Sequence, residues 1–337
     1  MRDIIPESIS IAQIFDRLFL SAASMIAAMN TQIPTTQIAT APILTTQGKE
    51  LDVSPEAFGE LRSSINIVDD GPALQTRMAE EGYLYLPSYL SRAEVLRVRM
   101  GLLERLQNAN CLEPGEPLEA AIARRESGSY FMPELAQDNP SLMRLLYDGR
   151  MMAFYGRLLG SEVRHFDFTW MRAVTPGSGT APHCDIVYMG RGTQRLFTAW
   201  TPLGDIPRTV GGLMILENSH KNERLRENYG RKDADAFCEN RSGARSGSKV
   251  GAGGALTFDP VKLRERLGNR WLTADFSAGD LLTFSMFTVH CSLDNNSPQI
   301  RLSSDTRYQL ASEPADERWV GEHPIGHGEA AKRGKIC

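Results

Sequence analysis

The sequence predicts a mainly β protein with flanking helices, an α+β chain whose strands form an antiparallel sandwich or jelly roll. Three observations carry this. Helical stripes are concentrated before residue 160, strands follow one another from Val163 with few helices between them, and an apolar content of 42% supplies a sizeable core. At 337 residues the chain exceeds a typical domain, so one large domain with appendages is expected.

Residues 1–30 read as an N-terminal helix or a weak targeting-like segment. Ile11, Ile14, Phe15 and Leu18 keep helical spacing, while Leu18–Met29 is apolar or small and follows Arg17 as a signal core would. Asp3, Glu7 and Asp16 spoil the basic flank that a signal needs, so a cytoplasmic location is expected, with export or an organelle as the alternative. Residues 31–73 read as a partly disordered linker, rich in Thr, Gln, Ile, Ala and Pro over Thr31–Gln47. The main domain is expected over 74–313. It opens with a short strand, Tyr83–Leu86, stopped by Pro87. Ser91–Glu94 then forms a capping box ahead of a helix whose stripe is Val95, Val98, Leu102 and Leu106. A second helix is expected over Ser141–Leu159, between Pro140 and Gly160.

From Val163 the period changes to two. His165, Asp167, Thr169 and Met171 alternate with Phe166, Phe168, Trp170 and Arg172, until Thr175–Gly179 breaks the strand. Further strands are expected over Arg195–Leu203, Leu213–Leu216, Trp271–Phe276, Leu281–Ser292 and Arg301–Leu310. An insert at 221–270 is polar, with a helix near Val261–Leu267, and is a candidate lid. Residues 314–337, with His323 and His327, read as a polar, solvated tail.

The formal net charge of −4 gives no broad cationic field, which argues against nucleic acid or an anionic membrane as partner. No run is long enough to span a bilayer. Five cysteines without a C-x-x-C pair describe neither a disulfide framework nor a zinc finger. The glycine-rich run from Gly243 to Gly254 lacks the ending of a phosphate loop. A small molecule is the expected partner, and oligomeric state is not readable.

His183-Cys184-Asp185 is the most informative feature. On an extended segment, residues two apart project to one side, so this imidazole and carboxylate can share a metal ion. His290, on an apolar strand, can complete a 2-His-1-carboxylate face, a set that suits non-haem Fe(II) and leaves positions open for substrate and dioxygen. Arg301 adds a planar fork suited to a carboxylate, which suggests 2-oxoglutarate. His165-Phe166-Asp167 has the same spacing, but it sits inside an aromatic strand, whereas His183 follows a Pro/Gly loop of the kind that carries function. Cys184 and Cys291 alternate away from the metal side and read as buried fillers.

Thr198-Ala199-Trp200-Thr201-Pro202-Leu203-Gly204-Asp205-Ile206, Gly211-Gly212-Leu213 and Asn218-Ser219-His220-Lys221 resemble the central signature of the phytanoyl-CoA dioxygenase family. So does Ala278-Gly279-Asp280-Leu281-Leu282 leading to His290-Cys291-Ser292, Asn295, Ser297 and Arg301. The resemblance runs in order from about Glu81 to Gln309. It implies a double-stranded β-helix (jelly roll, cupin-like) with Fe(II), 2-oxoglutarate as co-substrate and O2. His183, Asp185 and His290 match the metal ligands, Arg301 matches the residue holding the distal carboxylate, and Ser292 and Trp200 match positions lining the co-substrate pocket. The implied reaction is hydroxylation of a small organic substrate, with oxidative decarboxylation of 2-oxoglutarate to succinate and CO2. The presence of Asp185 favours hydroxylation over halogenation. Glu217-Asn218 stands where the family more often has Pro-Gly, and His220 reads as structural. Two other readings compete: a cupin-like metal-dependent isomerase or hydrolase, which needs no dioxygen, and a non-catalytic jelly roll that binds a ligand.

Overall fold

The computed structural model describes residues 43–125, 128, 130–238, 254–327, 329–331 and 333–335. The helix or targeting segment expected at 1–30, the start of the linker and all but the last residue of the glycine-rich run at 243–254 lie outside these.

Residues 43–73, assigned by sequence to a linker, form β1 (Thr45–Thr46), β2 (Lys49–Glu50) and β3 (Phe58–Glu60). Their buried residues, among them Leu44, Thr46, Leu51, Phe58 and Leu61, follow no single period, so nothing in the pattern announced them. β1 and β2 are a hairpin turning on Gln47-Gly48, both left-handed at φ 53° and 70°. Asp294 accepts both turn amides at 2.9 Å and ties the hairpin to the main domain.

The helices ahead of the main run of strands are α1 (Gly71–Glu81), α2 (Arg92–Asn108), α3 (Pro140–Tyr147) and α4 (Gly149–Leu159), with β4 (Tyr83–Leu86) between the first two, and later in the chain the helix expected near Val261–Leu267 runs over Pro260–Leu267. Asp70, Ser91 and Asn139 cap α1, α2 and α3 through side-chain bonds to backbone amides. The single helix expected over Ser141–Leu159 is two helices. Asp148 is extended (φ −137°, ψ 175°) and its carboxylate takes the Gly149 amide at 2.6 Å, so the chain turns sharply there.

The remaining strands are β5 (Val163–His165), β6 (Trp170–Val174), β7 (Phe197–Pro202), β8 (Leu213–Leu216), β9 (Ala236–Cys238), β10 (Trp271–Thr273), β11 (Leu281–Ser285), β12 (His290–Ser292), β13 (Arg301–Leu310) and β14 (Arg333–Lys335). One sheet runs β4-β11-β7-β13, and β13 pairs with β6 through its first half and with β5 through its end. The other runs β12-β8-β10-β3. His183 extends this second sheet by exchanging two 3.0 Å backbone bonds with His290. From β6 to His183 to β7 to β8, and again from β11 to β12 to β13, the chain crosses between sheets, which is the winding of a double-stranded β-helix.

Two expected strands are therefore divided. Leu281–Ser292 is β11 and β12, in different sheets, because Met286–Val289 carries the chain across the barrel. The aromatic run from Val163 is β5 and β6, which meet different stretches of β13.

α1, α2 and α4 pack on the outer face of the larger sheet, where Leu74, Leu102 and Phe154 meet Ala199, Leu281 and Leu302. Trp200, Leu282 and Phe284 instead fill the space between the sheets with Leu213, Ile215 and Phe276. The segment after residue 313, expected to be solvated, packs back onto the domain. Trp319 lies with its ring centre 4.7 Å from that of Trp170, and Arg318 is fully buried among carboxylates. A tail made mainly of polar residues is read as solvated because, beside Asp316, the acids that bury its arginine, Asp235 and Asp233, are distant in sequence. Among the described residues, no helix is long and apolar enough to cross a membrane.

Candidate metal centre

His183, Asp185 and His290 converge, each offering a ligand atom within 4.8 Å of the others, and all three are buried. Asp185 Oδ1 stands 3.7 Å from Nε2 of both histidines. The geometry differs from the expected extended pair. His183 is in the sheet, whereas Asp185 is already helical (φ −65°, ψ −23°) and starts the short helix α5 (Ile186–Met189). The turn brings its carboxylate round to the imidazoles.

Each histidine is fixed by its other nitrogen. Nδ1 of His183 lies 2.8 Å from the Ala181 carbonyl and Nδ1 of His290 lies 3.0 Å from that of Thr288. A carbonyl can only accept, so both Nδ1 atoms carry the proton and both Nε2 lone pairs face the carboxylate. Burial, with the neighbouring His290, pushes the His183 pKa down to about 3, and burial lowers that of His290. Both imidazoles are neutral at ordinary pH, as ligation requires. Burial pushes Asp185 up, but Arg307 and the two histidines overcome it and hold the carboxyl well below its usual range. Its Oδ2 accepts from Arg307 Nη2 at 3.0 Å and from the Thr198 hydroxyl, which leaves Oδ1 for a metal.

Among the described residues this is the cluster suited to a metal ion. His165 is elsewhere, with Nδ1 on the Phe166 carbonyl at 2.8 Å. His220 is also remote: its Nε2 lies 3.1 Å from the Ala79 carbonyl, and its ring fills the space where a Cβ on Gly82 would sit. Asn218, in the position where the resemblance expects glycine, takes the left-handed conformation glycine would (φ 56°).

The other three expected site residues lie deeper. Arg301 is 1% exposed, donates Nη1 to the Gly211 carbonyl, and has no carboxylate partner among the described residues, while its buried Nε lacks an acceptor. Burial lowers its pKa to about 10, so it stays charged at neutral pH. Trp200 packs on Phe276 with a buried, unpartnered Nε1. Ser292 Oγ accepts the Thr180 amide at 2.8 Å and keeps its own proton to donate. A buried guanidinium without a counter-ion is costly. It fits a site that awaits a carboxylate, as the neutral His pair with Asp185 fits one that awaits a divalent ion.

A cavity of about 590 Å³ opens beside His183 and Asp185. Sequence reasoning missed most of its polar wall, Arg172, Arg307 and Gln47, and also Thr198. Arg307 was recoverable, since it shares the parity of Arg301 on β13, and period two puts Arg301, Ser303, Asp305 and Arg307 on one face. His327 also borders the cavity, where a solvated tail was expected.

A model of the phytanoyl-CoA dioxygenase family matches residues 78–303. The 1-deoxypentalenic acid 11-beta-hydroxylase of Streptomyces arenae is 27% identical over 267 residues, covering 76% of this chain and 87% of that protein. The enzyme of the same name from Streptomyces exfoliatus is 26% identical over 263 residues, covering 73% and 83%. Among solved structures, the non-heme alpha ketoglutarate dependent carbocyclase SnoK from nogalamycin biosynthesis aligns with a TM-score of 0.55 at 18% identity, covering 80% of this chain and 95% of that one. EctD from S. alaskensis in its apoform gives 0.52 at 18% identity, covering 85% and 94%. These structural likenesses bear on the fold, which they give as that of the oxygenase jelly roll.

Proposed function

This chain belongs to the phytanoyl-CoA dioxygenase family, and from that premise we propose that His183, Asp185 and His290 bind Fe(II) and that Arg301 holds the far carboxylate of 2-oxoglutarate. The chain is an iron- and 2-oxoglutarate-dependent oxygenase of the hydroxylase type. The observation that carries the residue assignment is the convergence of three buried donors, two of them neutral imidazoles, beside a buried guanidinium that has an unpartnered Nε and no carboxylate partner among the described residues.

Bound there, iron supplies activation of dioxygen coupled to decarboxylation of the keto acid. The protein's own groups do the rest. Ala181 and Thr288 carbonyls fix the imidazole tautomers, and Thr198 and Arg307 hold Asp185 through Oδ2, so that Oδ1 would be available to the metal. Ser292 and Trp200 offer further N–H and O–H donors for the co-substrate. The two Streptomyces relatives are named as hydroxylases of 1-deoxypentalenic acid, and the cavity of about 590 Å³ beside the proposed ligands suits a small molecule. Binding of 2-oxoglutarate to the ferrous protein without oxygen is expected to give the metal-to-ligand charge-transfer band that needs both partners. Asp185→Ala should lose the band and the iron, while Arg301→Met should keep iron and weaken the keto acid. Retention of the band at full strength in Asp185→Ala would refute the ligand assignment. A Lewis-acid isomerase or hydrolase would turn over without oxygen, and a silent binding protein would release no succinate.

A further inference from the structure

The cavity wall has more positive charge than its own carboxylates, a metal and a keto acid can match. Among the described residues, Arg172, Arg307 and Asp185 line the cavity, and deeper in the barrel Asp305 pairs with Arg172 while Arg301 lies on the same face of β13 as Arg307, so three guanidiniums meet two carboxylates. A ferrous ion and doubly charged 2-oxoglutarate cancel one another, so one positive charge is left over in a largely apolar enclosure. Such an excess is costly unless the substrate brings the counter-charge.

Arg172 is the group placed to receive it. It borders the cavity, its Nε is held by Asp305 Oδ2 at 2.6 Å, and among the described residues neither Nη atom has a hydrogen-bond partner, so the two can form a fork. Arg307, 3% exposed and also on the wall, adds a buried Nη1 without an acceptor. Much of the rest of the wall is aromatic, beside Gln47, Thr180 and His327: Tyr130, Trp170 and Tyr188 lie within it, and Phe131 and Phe258 stand at the edge, 44% and 58% exposed. Exposed rings flanking a cavity are surface that an apolar ligand would cover.

We propose that the substrate is a predominantly apolar monocarboxylic acid whose carboxylate pairs with Arg172. This deepens the hydroxylase reading and rests on it. A coenzyme A thioester, with several phosphate charges, does not match a single excess charge.

The test uses the full chain loaded with Fe(II) and 2-oxoglutarate without oxygen, with decalin-2-carboxylic acid and its methyl ester as probes, and binding followed by calorimetry. The acid should bind at least about tenfold more tightly than the ester, as a charge-assisted hydrogen-bonded pair allows. Arg172→Gln should abolish that preference and leave ester affinity and the charge-transfer band unchanged. Arg172→Lys, which keeps a cation beside Asp305, should retain part of it. Equal binding of acid and ester, binding of neither, or an Arg172→Gln protein that loses 2-oxoglutarate instead of the acid would each overturn the proposal. The two readings fail separately: a wild-type band without acid preference removes only the substrate assignment, whereas no band removes the hydroxylase reading whatever the acid does.

Discussion

Two buried polar clusters in this chain are built on opposite principles. Around Arg318 the charges are answered: Nε and Nη2 bond Asp316 at 2.9 and 2.5 Å, and Nη1 bonds Asp235 at 2.5 Å and Asp233 at 3.3 Å. Around Arg301, also buried, the partner among the described residues is one backbone carbonyl, and there the Nε2 atoms of His183 and His290 have a carboxylate oxygen 3.7 Å away. A satisfied cluster holds chain segments together. An unsatisfied one is kept because something else completes it.

The sharpest way to break that comparison is to treat both arginines alike. Arg318→Met leaves Asp316 and Asp235 buried without their cation and should cost about 3–5 kcal/mol of stability. Arg301→Met, in protein without metal or keto acid, removes an unpaired charge and should be neutral or slightly stabilising by the same logic. Equal destabilisation in urea titrations of the two variants would mean that Arg301 has a structural partner after all.

A smaller effect separates the proposed ligands from the groups that hold them. Thr198→Val keeps the shape of β7 but removes the hydroxyl that pins Asp185 Oδ2. Iron affinity should fall by about 10-fold to 100-fold, the usual cost of losing such support. Unchanged affinity in a competition with a chromophoric chelator would show that Arg307 alone fixes the carboxylate.

The metal-facing half of this contrast was legible in the sequence because its signals are local. His183-x-Asp185 and the period-two strands need only neighbouring residues to be seen, and the ordered motif segments placed His290 and Arg301. The Arg318 cluster was not legible, since it joins 318 to Asp235 and Asp233 more than 80 residues away, as His327 joins Asp235. The same blindness explains the strand expected over Leu281–Ser292. Continuous apolar character says that both halves are buried, but not that they belong to different sheets. It also explains the buried hairpin at Gln47, whose anchor, Asp294, lies 247 residues on.

Acid gives the smallest and most local difference between the clusters. Burial raises Asp316 and Asp235, but for Asp316 the Arg318 guanidinium, and for Asp235 His327 together with Arg318, outweigh it, so both carboxyls titrate below their ordinary value. A carboxyl whose folded pKa is depressed binds its proton more readily when released. Its contribution is therefore complete above the unfolded value, about 4, and is lost as pH falls through the folded one. Hydrogen exchange at residues 316–327 should accordingly stay constant from pH 8 to 5, once corrected for intrinsic rates, and accelerate below about pH 4 relative to β7 and β13. Loosening already between pH 7 and 5 would mean that groups other than the Arg318 carboxylates hold this segment.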